Sequence, residues 1–245
     1  MSEPARWTPD RVAFTREWYR GFLERLSDGY RVQPFSNPVP PGTALLRHDV
    51  DLSVAAAVEM ARLEAEMDVS ATYFLLAGSP LYNLLDRETR EQVREIEALG
   101  HEVGLHFSTH TYWPSERRPS DRALAARVRA EQEVLDAVAR DPVDTVSFHV
   151  PPEWLLGESI KGVASTYAPA VFSEVGYIAD SGQRWRERSP LGDDLPGRLQ
   201  VLAHPGLWGE EDAGFEARVL GAAQAAADRA HDQTRREFLG EGPGR

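Results

Sequence analysis

The sequence predicts an α/β chain whose mostly parallel sheet curls toward a barrel, and three observations carry that expectation. Short apolar runs alternate with helical stretches along most of the chain, the order that produces parallel strands joined by crossover helices. A length of 245 residues suits one sizeable core better than two. Finally, Asp49 and Asp51, His106 and His110, His149, Asp180 and His204 each fall at the end of a predicted strand. The C-terminal rim of the strands is where α/β barrels collect catalytic groups, so polar residues on five separate strand ends favour a barrel-like sheet.

Taken in order, Thr8 to Leu26 reads as a helix, with Thr8 and Asp10 suited to its start and Phe14, Trp18 and Phe22 at four-residue spacing. Ser27-Asp28-Gly29 stops it, and Pro34, Pro38, Pro40 and Pro41 mark an extended linker up to Gly42. The first strong strand is Ala44-Leu45-Leu46, running into Arg47-His48-Asp49-Val50-Asp51. Ser53 caps a helix from Val54 to Met67. Ala71–Leu76 is the second strand, Glu88–Leu99 a helix closed by Gly100, and Val103 with Leu105 the heart of the third strand. A long helix over Asp121–Arg140 precedes a fourth strand, Val143–His149. After Pro151-Pro152 the spacing predicts a short helix over Ser159–Tyr167, a fifth strand over Val175–Ala179 and a polar loop over Gly182–Gly197. A sixth strand, Leu199–Ala203, leads to His204-Pro205, and Phe215–Phe238 is an amphipathic helix. The domain expectation is a helix and proline-rich linker over 1–43 packing on a barrel over 44–239, with a flexible tail over 240–245.

Composition excludes several function classes. The formal net charge of −12 argues against a nucleic-acid partner or an anionic membrane surface, since both reward positive charge. The absence of cysteine removes disulfides, thiolate zinc sites and cysteine nucleophiles. No apolar stretch approaches a membrane span and the first 26 residues lack a signal-peptide core, so the expected location is cytoplasmic. Composition implies no partner beyond a small-molecule substrate.

The chemistry sits in the imidazoles and carboxylates. Of seven histidines, His48, His101, His106, His110, His149 and His204 lie in or beside apolar runs that end in polar residues, and only His231 lies elsewhere. That distribution predicts that the chain spends its histidines on one site. A helical turn begun at Ser108 would bring His106 and His110 close enough to grip one ion. Asp49 and Asp51 are two apart and can point into one mouth from an extended segment. A carboxylate with two imidazoles suits a divalent first-row metal: zinc by default, with cobalt, nickel, manganese or ferrous iron as alternatives. A second aspartate could take a proton from water, and His204 could protonate a leaving amine.

The stretches Leu46-Arg47-His48-Asp49-Val50-Asp51, Gly100-His101-Glu102-Val103-Gly104-Leu105-His106 with His110, and Leu202-Ala203-His204-Pro205 resemble motifs of the polysaccharide deacetylases of the NodB-homology, carbohydrate esterase 4 type. The resemblance spans about Leu45 to Trp208. It implies a distorted (β/α)7-type barrel and a metal-dependent N-deacetylase acting on N-acetylated sugars. Carried over by position, it implies Asp49 as general base, Asp51, His106 and His110 as metal ligands, and His204 as general acid. Val50 separates two aspartates that are adjacent in the family, so their roles could be exchanged. His149 stands where the family has an arginine that orients the base, and Asp180-Ser181-Gly182-Gln183-Arg184-Trp185 replaces an Asp-x-x-Trp-Asp motif. With these departures the chain resembles an atypical branch of that superfamily. Trp113, Trp154, Trp185 and Trp208 follow the motifs and are expected either to ring the mouth or to pack loops onto the rim. His149, Asp180, Trp113, Trp185 and Trp208 are thus the expected substrate or supporting residues.

Three functions stay open at this point. The first is metal-dependent hydrolysis of an amide, with N-deacetylation of an amino sugar or a small glycoconjugate or secondary metabolite as its leading form. The second is a ferrous oxygenase using two histidines and one carboxylate. The third is a binding protein on a degenerate deacetylase barrel.

Overall fold

The computed structural model describes residues 11–35, 39–142, 144–192 and 195–240. Helix α1 is Arg16–Gly29, starting where the Thr15 side chain accepts a hydrogen bond from Trp18 N. Thr8 and Asp10, expected to open it, lie outside the described residues. The other helices are α2 (Val54–Glu66), α3 (Arg87–Ala98), α4 (Asp121–Asp136) and α5 (Phe215–Leu239). The Ser53 hydroxyl accepts from Ala56 N at the start of α2, as its side chain and position require. The strands are β1 (Arg31–Gln33), β2 (Thr43–Val50), β3 (Thr72–Leu76), β4 (Glu102–Phe107), β5 (Thr145–Phe148), β6 (Ala164–Ser165), β7 (Gly176–Ala179) and β8 (Arg198–Ala203).

Every ladder is parallel, in the order β6-β5-β4-β3-β2-β8-β7, with β1 added beside the start of β2. The result is a curled parallel sheet of the distorted-barrel kind. Two strands fall outside the expectation. Strand β1 has only three residues, too few for an alternation to register. Strand β6 replaces part of the helix expected over Ser159–Tyr167. There Gly162 takes a left-handed φ of +81°, which ends any helix, and Ala164 and Ser165 pair with Thr145 and Val146 instead. Among the described residues no helix is long and apolar enough to cross a membrane.

Register sorts the side chains onto two faces. Asp49 pairs with Phe74 and Phe74 with Gly104, while Leu76 pairs with His106 and His106 with Ser147. Partners in register share a face, so Leu45, Arg47 and Asp49 look into the curl with Phe74, His106 and Ser147. Gly104 has a packing reason: a Cβ there would lie 2.6 Å from the Phe74 ring. The opposite parity, including Leu46, Tyr73, Val103, Leu105 and Val201, packs beneath the helices in the main apolar core.

That parity corrects the expectation that six histidines build one site. His48 and His101 point to the helix side, where Glu64 of α2 is fully buried. Glu64 accepts from Tyr19 OH at 2.6 Å and Tyr73 OH at 2.8 Å, and its Oε1 lies 2.7 Å from His48 Nε2. His101 donates from Nε2 to Ala61 O at 2.9 Å and accepts at Nδ1 from Ala71 N at 3.2 Å. Its 3.6 Å approach to Glu64 is therefore made by a lone pair and is no ion pair. Burial works against the Glu64 charge, yet the charge and hydrogen bonds of its neighbours, His48 first, hold its pKa below the ordinary glutamate value. Removing one member of a buried polar network strands the rest. Glu64→Ala should therefore cost about 3–5 kcal/mol in urea unfolding, with divalent-metal content of the folded protein unchanged. A loss below about 1 kcal/mol would show that the network is dispensable.

Candidate metal centre and acid–base pair

Two residues on β2 and its continuation start the site. Asp49 is on the strand and Asp51 just beyond it, with Val50 turned into the core at 0% exposure. Both carboxylates consequently reach the same mouth, Asp51 nearer solvent with 22% of its side chain exposed against 3% for Asp49. His106 ends the inward row of β4, and His149 sits two residues beyond Ser147, so alternation aims it at the same mouth.

Three atoms converge. Asp51 Oδ1 lies 3.1 Å from His106 Nε2 and 3.1 Å from His149 Nδ1, and the two nitrogens are 3.3 Å apart. The edge of a tetrahedral zinc site with bonds of about 2.0–2.1 Å is roughly 3.3–3.4 Å, so the triangle has the size a small divalent ion requires. His106 donates from Nδ1 to Ser147 O at 3.0 Å, which turns its Nε2 lone pair toward the other two. Asp51 Oδ1 is buried and has no hydrogen-bond partner of ordinary geometry. Electron-rich atoms crowded this way need either protons or a cation between them. Burial alone would raise the Asp51 pKa, but the two imidazoles hold it well below the usual carboxylate range. For His106, burial opposes the charge while Asp49 and Asp51 raise the pKa. Asp51, His106 and His149 can together hold a metal ion.

The structure does not bring His110 to this set. His110 lies in a short 3-10 turn, Thr109–Thr111, while His106 is still on the strand, so the helical spacing that would align them never forms. His110 donates from Nε2 to Val150 O at 2.8 Å and accepts at Nδ1 from Ser115 Oγ at 3.1 Å. Both ring nitrogens are occupied, and the ring braces the backbone next to His149. That backbone is unusual: Val150 has φ +44°, a left-handed conformation costly for a β-branched residue.

Asp49 is held on one side only. Its Oδ2 accepts from Ser147 Oγ at 2.9 Å and faces Arg47 Nη2 at 3.5 Å, whereas its buried Oδ1 has no hydrogen-bond partner. Arg47 is wholly buried; it donates to Thr166 Oγ1 and, at 2.9 Å, to Tyr167 OH, and its guanidinium lies 4.7 Å from the Tyr167 ring centre. Sequence reasoning passed over Arg47, although its parity with Asp49 places both on one face.

His204 is set by Asp180, which is fully buried at the end of β7. Asp180 accepts from His204 Nδ1 at 2.5 Å, from His204 N at 3.2 and 3.0 Å, and from Trp208 Nε1 at 2.8 Å. With Nδ1 fixed, Nε2 faces the mouth, 3.9 Å from Asp51 Oδ2. Burial disfavours the charged ring, but Asp180, followed by Asp51 and Asp49, pushes the His204 pKa up to about 9.

The tryptophans do not ring the mouth. Trp185 and Trp208 are 4% and 2% exposed and stack with Trp18, Phe14 and Phe22 beneath α1. Trp113 packs on Tyr112, and Trp154 donates to Ser115 O. They fasten loops to the rim, and Trp208 also anchors Asp180.

Metal content separates the two histidines. His149→Ala and His106→Ala should each abolish stoichiometric zinc in elemental analysis, whereas His110→Ala should retain it with affinity reduced roughly 10–100-fold, as for a supporting residue. Retention by His149→Ala with loss by His110→Ala would restore the ligand set expected from the sequence.

No family model and no curated protein matches this chain. Similar solved structures include a CE4 family pseudoenzyme from Bacillus anthracis, 15% identical with a TM-score of 0.42 over 78% of this chain. This chain spans 60% of the length of that protein. A chitin deacetylase from the fungal pathogen Colletotrichum lindemuthianum is 16% identical, with a TM-score of 0.46 over 82% of this chain and 86% of the other. A family 4 acetyl xylan esterase from Clostridium thermocellum, in complex with a cobalt ion, is 15% identical, with a TM-score of 0.41 over 78% and 84%.

Proposed function

We propose that this chain is a metal-dependent hydrolase that cleaves the C–N bond of an N-acyl group, removal of acetyl being the simplest case. One juxtaposition carries the reading. A ligand triangle, a separate carboxylate with one free oxygen, and an aspartate-backed histidine share a single mouth.

Asp51, His106 and His149 would hold the ion, which supplies Lewis-acid polarisation of an acyl oxygen and acidification of water. Zinc is the default for this donor set. Asp49 acts as general base through Oδ1, because Ser147 and Arg47 already engage Oδ2. Water adds its oxygen to the acyl carbon as Asp49 takes a proton. His204 then gives its Nε2 proton to the nitrogen as the C–N bond breaks, leaving a carboxylic acid and an amine. Asp180 keeps His204 in the donating orientation throughout, and Arg47 with Ser147 keeps Asp49 aimed. A ferrous oxygenase would share the two-histidine, one-carboxylate set. The paired Asp49 and His204–Asp180 favour hydrolysis, since oxygen chemistry has no use for an acid and a base on opposite sides of one acyl group.

The aspartates and His204 are tested separately. Asp49→Asn should keep the metal and lose turnover, whereas Asp51→Asn should lose both; the reverse pattern would exchange the roles. His204→Ala should slow amide hydrolysis by roughly 10²–10⁴-fold but an activated aryl ester only mildly, because a phenolate leaves without a proton. Equal losses on both substrates, with metal content intact, would remove His204 from the acid role.

A further inference from the structure

We propose that the substrate carries an apolar alkyl or aryl body, so that this site hydrolyses small hydrophobic N-acyl amides in preference to acetylated sugars. The proposal rests on the hydrolase reading above and deepens it. The ligand triangle and His204 open into a cavity of about 700 Å³, a size that encloses a drug-like molecule. Beyond the acid–base and ligand residues its walls are largely hydrocarbon: Phe148, Phe172, Leu202, Leu207 and Val219 line it. The rim continues the pattern. Of the eight exposed large apolar side chains among the described residues, Val150 (63%), Leu156 (40%) and Phe215 (47%) border this one cavity. Exposed apolar groups gathered on one opening mark a binding surface rather than chance. Val150 also holds its costly φ of +44° at that rim, and such strain concentrates where a site needs a particular side chain presented.

A sugar would be poorly served here. Each ring brings several hydroxyls, and a hydroxyl buried without a partner opposes binding. The Tyr167 and Tyr177 hydroxyls are committed to the Arg47 cluster. That leaves Ser181 and Arg184 as the polar side chains of the lining outside the reacting cluster. No indole face is offered either: no tryptophan lines the cavity among the described residues, and its aromatic rings are those of phenylalanines and of the Arg47-bound tyrosines. Phe215 and Val219, from the first turns of α5, close one side with apolar surface.

The chemistry balances as above: water's oxygen bonds to the acyl carbon, the C–N bond breaks, and the nitrogen departs protonated as a hydrophobic amine. The test uses zinc-loaded full-length protein with N-acetyl-2-phenylethylamine and 4-nitroacetanilide against N-acetylglucosamine and its tetramer. The expected kcat/KM is at least ~100-fold higher on an apolar amide than on either sugar. Phe215→Ser and Val219→Asp alter exposed or half-exposed helix positions and should fold normally by circular dichroism. Each should raise KM for the apolar amide about tenfold, more than it lowers kcat. Calorimetry on metal-free protein supplies a readout independent of turnover: N-acetyl-2-phenylethylamine should bind, and Val219→Asp should weaken it. Sugar hydrolysed as well as or better than the amide would overturn the proposal while leaving the hydrolase intact. Failure of the metal-free protein to bind the amide would overturn it as well. Calorimetric binding without turnover on any substrate would support the pocket preference and end the hydrolase reading instead.

Discussion

The buried guanidinium of Arg47 against the Asp49 carboxylate is the contact on which the inside of the curl depends. A fully desolvated charge is tolerated only with a counter-charge and satisfied donors. Arg47 obtains both, from Asp49 on its own strand and from Thr166 and Tyr167 on the far wall. Burial opposes its charge, while Asp49 and the two tyrosines raise its pKa above the ordinary arginine value. Arg47 also bridges the sheet where it is incomplete, reaching Thr166 and Tyr167 after β6 and the Tyr177 ring on β7, since β6 and β7 end the strand order without pairing to each other among the described residues. Gln200 of β8 strengthens the same gap by donating to Thr166 O and Val171 O. One side chain therefore ties the open walls together and sets the carboxylate that we propose as the base.

The sheet keeps two polar systems apart by parity alone. On the inner face, Asp49, His106 and His204 keep atoms aimed at a cavity. On the helix face, Glu64 gathers Tyr19, Tyr73 and His48 until its oxygens are occupied. The first arrangement is under-satisfied and poised to bind. The second is closed, and it anchors α1 and α2 to the sheet. His48 and Asp49 are neighbours in sequence yet belong to different systems, because consecutive strand residues face opposite ways.

The departures from the family motifs become coherent in three dimensions. Where the resemblance implies an arginine, His149 stands beside Asp51 and His106. Where it implies a third ligand, His110 braces Val150 and so supports the backbone that follows His149. The guanidinium reappears on β2 as Arg47. The mouth thus gathers three possible ligand atoms and a carboxylate that faces an arginine.

The sequence by itself determined the parallel α/β sheet, the strand ends that carry chemistry, and the membership of Asp49, Asp51, His106, Asp180 and His204 in one neighbourhood. Those are consequences of hydrophobic periodicity and of where strands stop, both local properties. His149 was among those strand-end residues, and Arg47 was within reach of parity, being two residues from Asp49 on β2. Only the tertiary structure decided which imidazoles converge. Whether His110 returns toward His106 depends on the turn after β4 being 3-10 rather than α, and on Val150 O being available as its partner. Whether the tryptophans face the mouth or the core depends on α1, whose packing against Trp185 and Trp208 joins residues more than 160 positions apart. No local pattern encodes such distant contacts, and they are why aliphatic, phenylalanine and tyrosine side chains line the mouth instead of a ring of tryptophans.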